Sequence, residues 1–220
     1  MSHGKQFTLY SHKGGPNGWK VAFLLEELGL SYETIFVDFQ KGEQKSPEHV
    51  KLNPNGRIPT IIDHKNSDFS LWESNAILEY IVYTYDKEGK LSVTKPEEKY
   101  KQLQWLFFQA SGQGPYFGQA VWFQKYHAEK IPSAIERYEK EIRRVFDVLE
   151  SVLSKEEWLV AGKYTIADLS FIPWHRHATT GILENYDGSK EHPALDKWIN
   201  KMTERPAIKK VLAEREALMK

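Results

Sequence analysis

The sequence predicts an α/β domain followed by an all-helical one. Three observations carry this. Strand and helix signals alternate over the first 86 residues, a charged stretch holding Gly89 and ending at Pro96 follows, and every periodic segment beyond it has helical spacing. The expected organisation is an N-terminal domain over 1–86, a linker over 87–96 and a helical domain over 97–220.

Residues 7–10 read as a short strand running into 11–18, a stretch rich in turn residues. Residues 19–28 turn helical, with Val21, Leu24, Leu25 and Leu28 at helical spacing and Gly29 as the stop. A second strand is expected over 32–37. Ser46 and Pro47 start a brief helix as N-cap and first helical residue. Strands follow over 59–63 and 69–71, and a helix over 73–83 with Ile77, Tyr80 and Ile81 on one face. The order is βαβ, then ββα: a small mixed sheet closed by a helix.

In the second half, Ile135, Tyr138, Ile142, Val145, Phe146, Leu149, Val152 and Leu153 form one apolar stripe. Gly112, Gly114 and Pro115 predict a kink or break. Pro132 and Pro206 each stand where a helix can begin. Thr165 with Asp168 three residues on makes a capping-box start for a helix through Phe171 and Trp174, a folding signal without chemistry.

Composition narrows the function classes. The chain has 220 residues, 30 basic and 30 acidic residues, and 40% hydrophobic residues. Zero net charge leaves no overall field to draw nucleic acid or an anionic membrane. With no cysteine there is no disulfide, no zinc-thiolate site and no thiol nucleophile of the protein's own. Any reactive sulfur must come from a ligand. The polar start and the lack of an 18-residue apolar run imply a soluble protein of the cytoplasm. The histidines show no metal-like pairing: His175 and His177 lie two apart and face different sides of a helix, so no metal is expected.

Four short segments matter together, and each of the three that could carry chemistry has an ordinary reading beside it. Pro16-Asn17-Gly18 could be a turn. In Asn55-Gly56-Arg57-Ile58-Pro59-Thr60 the proline could simply open a strand. If its bond is cis, Ile58 would offer its backbone N–H and C=O to a ligand with main-chain character. Trp72-Glu73-Ser74-Asn75 could be a plain helix cap, or an anion site with an acidic side chain for an ammonium. The fourth is the capping box.

Together, in this order, these segments resemble the cytosolic glutathione transferases, over essentially the whole chain. Pro16-Asn17-Gly18, Asp38-Phe39 to Gly42-Glu43, Asn53-Pro54-Asn55 with Arg57-Ile58-Pro59, Gly118-Gln119-Ala120 and Ala134-Ile135-Glu136-Arg137-Tyr138 are most similar to the fungal nitrogen-regulator-like and bacterial nu-class group. The resemblance implies a thioredoxin-like first domain, glutathione as co-substrate and a homodimer. Pro59 would be the cis proline and Ile58 would pair with the cysteinyl part of glutathione. Glu73 would take the γ-glutamyl ammonium and Ser74 the carboxylate. Gln44 would lie near the glycyl carboxylate, with Lys41, Lys45 or Arg57 supplying charge. Arg137 would approach from the helical domain.

Asn17 would sit beside the thiol. Asn is no base near neutrality, so it would act by hydrogen bonding, with the helix N-terminus favouring the thiolate. Ser11 and Tyr10 are rivals for that contact. Gly15 stands where many bacterial relatives carry a hydroxyl, which removes a second hydrogen bond to sulfur. Phe117, Trp122, Phe123 and Tyr126 are candidates for the wall of an inter-domain electrophile pocket. The implied activity is conjugation of small hydrophobic electrophiles, reduction of organic hydroperoxides or glutathione-dependent disulfide reduction through one or two bound glutathiones. The alternative is a ligand-binding or regulatory protein of the same fold with weak or no catalysis.

Overall fold

Phe7 and Leu9, two residues apart and fully buried, set one face of the first strand, β1 (Phe7–Ser11). In a computed structural model of the chain, which describes residues 4–220, β1 is an inner strand of a four-stranded sheet. It runs parallel to β2 (Tyr32–Phe36) and antiparallel to β3 (Thr60–Asp63), and β4 (Phe69–Trp72) lies antiparallel to β3. The order β2-β1-β3-β4 is the expected βαβ unit followed by a hairpin.

Three helices belong to this pattern: α1 (Pro16–Glu27), α2 (Pro47–Leu52) and α3 (Ser74–Tyr85). Helix α1 starts three residues earlier than the periodicity implies. Pro16 occupies its first position, where a missing N–H costs nothing, so Asn17 and Gly18 are helical rather than part of a turn. Ser46 caps α2 as expected, its Oγ accepting from the His49 N–H at 3.2 Å.

The chain forms two compact units, and their limits differ from the expected 86/97 division. One runs to Ser92 and regains Glu204–Lys220; the other is Val93–Thr203. Asp86 holds residues 87–92 against the end of α3. Its carboxylate accepts from the Lys90 N–H at 2.7 Å, the Leu91 N–H at 2.8 Å and the Ser92 hydroxyl at 2.8 Å. The last helix, α11 (Pro206–Leu218), joins the first unit through charge. Glu26 and Glu27 close the C-terminal turn of α1, where the helix dipole disfavours anions. Arg205 binds Glu27 through two hydrogen bonds, at 2.5 and 2.9 Å, and Lys210 reaches Glu26 at 2.7 Å.

The second unit is helical throughout its regular structure. It holds α4 (Pro96–Phe108), α5 (Gly114–Val121), α6 (Pro132–Leu153), α7 (Ile166–Leu169), α8 (Ile172–Gly181), α9 (Gly188–Glu191) and α10 (Pro193–Thr203). At the glycine pair the chain does not break. It widens into a π-helical turn over Gln109–Gln113, which lets Pro115 enter α5 near its start, where no N–H is needed. The apolar stripe of α6 buries Ile142, Val145, Phe146, Leu149 and Leu153.

The capping box forms as read. Thr165 Oγ1 accepts from the Ala167 N–H, and Asp168 Oδ2 accepts from the Thr165 N–H and hydroxyl, both at 2.9 Å. Asp168 Oδ1 also takes the Leu159 N–H and the Trp198 indole N–H. Burial pushes this carboxyl up to about 6, against the pull of those four bonds. The helix expected to run on through Trp174 divides at Ser170, with Pro173 in the first turn of α8. Among the described residues, no helix is long and apolar enough to cross a membrane.

Candidate functional site

Strand register gathers three of the four segments at one end of the sheet. Tyr10 pairs with Thr60, and Thr60 with Trp72. Their neighbours Ser11, Pro59 and Glu73 therefore emerge together. Each is followed or preceded by an irregular segment or a helix start, where backbone groups are not used up by the ladder.

The first segment is the loop 12–15 and the start of α1. The His12 ring organises the loop: Nδ1 accepts from the Gly14 N–H at 3.2 Å and the Gly15 N–H at 3.1 Å, and the ring stacks on Phe39 at 4.3 Å. Burial holds the imidazole below its ordinary pKa, against the attraction of Asp38. An unprotonated Nδ1 is the form those two N–H groups require. Gly15 lies against the Ile58 side chain, where an added Cβ would stand 3.3 Å from Cδ1. Asn17 is half-buried in the first turn of α1. Ser11 is buried, its Oγ turned under Gly18.

The second segment is the loop before β3. The Ile58–Pro59 peptide bond is cis. Two buried side chains of α2 and its C-cap hold the carbonyl just before it. His49 Nε2 donates to the Arg57 carbonyl at 3.0 Å and Asn53 Nδ2 donates to it at 2.8 Å. Asn53 Nδ2 also reaches the Thr60 hydroxyl at 3.0 Å. Gln44 sits in the 3₁₀ turn Glu43–Lys45, with its side-chain oxygen buried and without a hydrogen-bond partner among the described residues. Among the neighbouring cations, Lys45 donates to the Asn55 carbonyl at 2.8 Å, Lys41 pairs with Asp38, and Arg57 is exposed.

The third segment is the start of α3. Glu73 has φ 71° and ψ 111°, a conformation that costs a non-glycine residue about 1–3 kcal/mol and recurs at functional sites. It is exposed, and Ser74 behind it is buried. Lys20 of α1, 2% exposed, donates to Ser74 Oγ at 3.1 Å and to Asn75 Oδ1 at 3.4 Å. Burial pushes the Lys20 ammonium down to about 7, with the charge of Glu73 working against it.

The first unit thus brings together Asn17, Ile58, Pro59, Glu73 and Ser74, with Gln44 and Arg57 on the adjoining turn and loop. Arg137 is an exposed residue of α6 in the other unit. Of the aromatic candidates there, Phe117 is core, packed edge-on to Phe146 and Trp174. Phe123 stacks on Tyr138, and Trp122 and Tyr126 are exposed.

Sequence reasoning missed His12, His49 and Lys20. Lys20 had a signal: it is the lone charge in the buried stretch of α1 from Gly18 to Leu25. The two histidines had none, since their partners are backbone groups, those of its own loop for His12 and of the loop before β3 for His49.

Chemically, the first unit presents two helix N-termini, an exposed acidic side chain and a buried cation. Such a set suits a small ligand carrying a carboxylate and an ammonium. Comparison with known proteins agrees. Residues 5–83 match the family model "Glutathione S-transferase, N-terminal domain", and residues 114–206 match "Glutathione S-transferase, C-terminal domain". Glutathione S-transferase 2 of Schizosaccharomyces pombe is 52% identical over 97% of this chain and 96% of its own length. The crystal structure of glutathione transferase URE2P6 from Phanerochaete chrysosporium, in complex with oxidized glutathione, is 65% identical with a TM-score of 0.97, covering 99% of each chain. Ure2p5 from the same fungus, cocrystallized with 1-(S-glutathionyl)-2,4-dinitrobenzene, is 51% identical with a TM-score of 0.91, covering 99% of this chain and 98% of that one. The chain belongs to the glutathione S-transferase family, and fungal Ure2-like proteins are among its near relatives.

Proposed function

We propose that this protein binds glutathione and uses its thiolate against a second substrate. Glu73 takes the γ-glutamyl ammonium and Ser74 its carboxylate. The backbone of Ile58, before Pro59, pairs with the cysteinyl unit. Gln44, with Arg57 nearby, lies toward the glycyl carboxylate, and Arg137 contributes from the helical unit. Asn17 donates to the sulfur. A thiol of ordinary acidity is mostly protonated near neutrality, so each unit of pKa lowering amounts to about 1.4 kcal/mol of preferential thiolate binding.

The observation that carries this is the convergence of Asn17, Ile58 and Glu73-Ser74 at one end of the sheet. The relatives bound to oxidized glutathione and to a glutathionyl-dinitrobenzene support glutathione and an aromatic electrophile as partners. In conjugation, the thiolate forms a C–S bond and the leaving group departs with its electron pair. With a hydroperoxide, two glutathiones give one disulfide, an alcohol and water. With a disulfide substrate, glutathione sulfur attacks and the released thiolate takes a proton. Every sulfur in these steps belongs to a ligand, because the chain has no cysteine. The active form is a homodimer in the cytoplasm.

Gly15 favours a second reading, a ligand-binding protein of weak catalysis, because that position offers no hydroxyl to the sulfur. Turnover of a chlorodinitrobenzene, an organic hydroperoxide and a small disulfide by wild type and Asn17→Ala separates the two. Turnover that falls in Asn17→Ala supports the enzyme. Retention on immobilised glutathione with no turnover in either supports the binder.

A further inference from the structure

Lys20 is a cation placed inside the buried, otherwise apolar stretch of α1 from Gly18 to Leu25, and burial of a charge is tolerated only where something compensates it. Its ammonium has three donors and no acceptor, so Ser74 Oγ must accept from it. The serine hydroxyl hydrogen is then turned away from Lys20, toward whatever lies outside the first turn of α3. Asn75 Oδ1 takes a second ammonium hydrogen and fixes its direction.

We propose that Lys20 is the positioning residue of the carboxylate subsite at Ser74, orienting that hydroxyl and supplying the positive charge that makes the subsite select a carboxylate. The inference rests on the glutathione reading above. It completes an alternation of charge: buried Lys20, ligand carboxylate, ligand ammonium, exposed Glu73. Glu73 is the charged group that acts on Lys20 from α3, whose first turn holds no other acidic residue. The acidic residues of α1 itself are engaged elsewhere, Glu26 with Lys210 and Glu27 with Arg205. Because burial lowers Lys20 toward neutrality, carboxylate binding should draw a proton onto it.

The test compares glutathione with 4-aminobutyryl-cysteinyl-glycine, which keeps the ammonium and thiol but lacks the γ-glutamyl carboxylate. Affinities are measured by calorimetry from about pH 6 to 8.5, for wild type, Lys20→Met and Lys20→Arg. In wild type, glutathione should take up more protons on binding than the analogue does, on top of the proton release their thiols share, and the analogue should bind about tenfold more weakly. Lys20→Met should lose about tenfold for glutathione only, and bring its pH profile to that of the analogue. Lys20→Arg should restore affinity with the analogue's pH profile. Equal losses for both ligands in Lys20→Met, or the same pH profile for both ligands in wild type, would overturn the role given to Lys20 alone. The wild-type comparison decides the matter even if Lys20→Met does not fold. Failure of wild type to bind either ligand would overturn the glutathione reading with it.

Discussion

Ser11 and Gly18 fit against one another with no room for a side chain at residue 18. A Cβ there would stand 2.0 Å from Ser11 Oγ, 2.9 Å from its Cβ and 3.4 Å from its Cα. This contact sets how closely α1 approaches the end of β1, and so where Asn17 stands. It also turns the Ser11 hydroxyl under the helix. Gly18→Ala should cost about 1–3 kcal/mol in urea unfolding, the usual range for overpacking a buried contact. Ser11→Gly should recover most of that loss in the double variant, because the clash involves its side chain. Additive losses would show that the two residues do not share this space.

Asn53 braces the loop before Pro59 through the Arg57 carbonyl and the Thr60 hydroxyl. Asn53→Ala leaves these buried groups short of a donor, with His49 still bonded to the carbonyl. The expected loss is about 1–3 kcal/mol of stability. KM for glutathione should rise more than kcat falls, since the loop carries the proposed Ile58 contact. Steady-state kinetics alongside unfolding checks both.

His175 is buried against Phe146, with neither ring nitrogen hydrogen-bonded among the described residues. Burial, helped by Arg176 and His192, drops its pKa to about 3. The unfolded chain binds this proton near pH 6.5 and the folded chain does not. Its contribution to stability is therefore complete above pH 6.5 and is lost as pH falls from there toward 3. His175→Phe should flatten that acid slope in urea midpoints measured from about pH 7.5 to 5. At neutral pH it should stabilise by about 1 kcal/mol, since it removes unsatisfied polar atoms. An unchanged acid slope would assign the sensitivity to another group, His12 first.

Strand and helix order was legible because period-2 and period-3.6 patterns record which face of each element is buried. The caps at Ser46 and Thr165 were legible because capping is a contact between near neighbours. The placement of α11 was not. Its apolar spacing says that it packs, and the pairs Arg205–Glu27 and Lys210–Glu26, 178 and 184 residues apart in sequence, say where. The start of α1 was obscured because Pro16-Asn17-Gly18 suits a turn as well as a first helical turn. At the candidate site, Glu73 and Ser74 were legible as the start of a helix, which is where they stand. Lys20, His12 and His49 were missed because each acts through a partner on another element or on a loop backbone.

The role proposed for Asn17, in the first turn of α1, is to favour the thiolate of bound glutathione. The ultraviolet absorbance of the thiolate near 240 nm, titrated against pH with glutathione saturating the protein, reads that role. The bound thiol pKa should lie about one unit or more below that of free glutathione in wild type. In Asn17→Ala it should rise by about one unit, or about 1.4 kcal/mol, while glutathione still binds. The same titration midpoint in both proteins would remove Asn17 from that role.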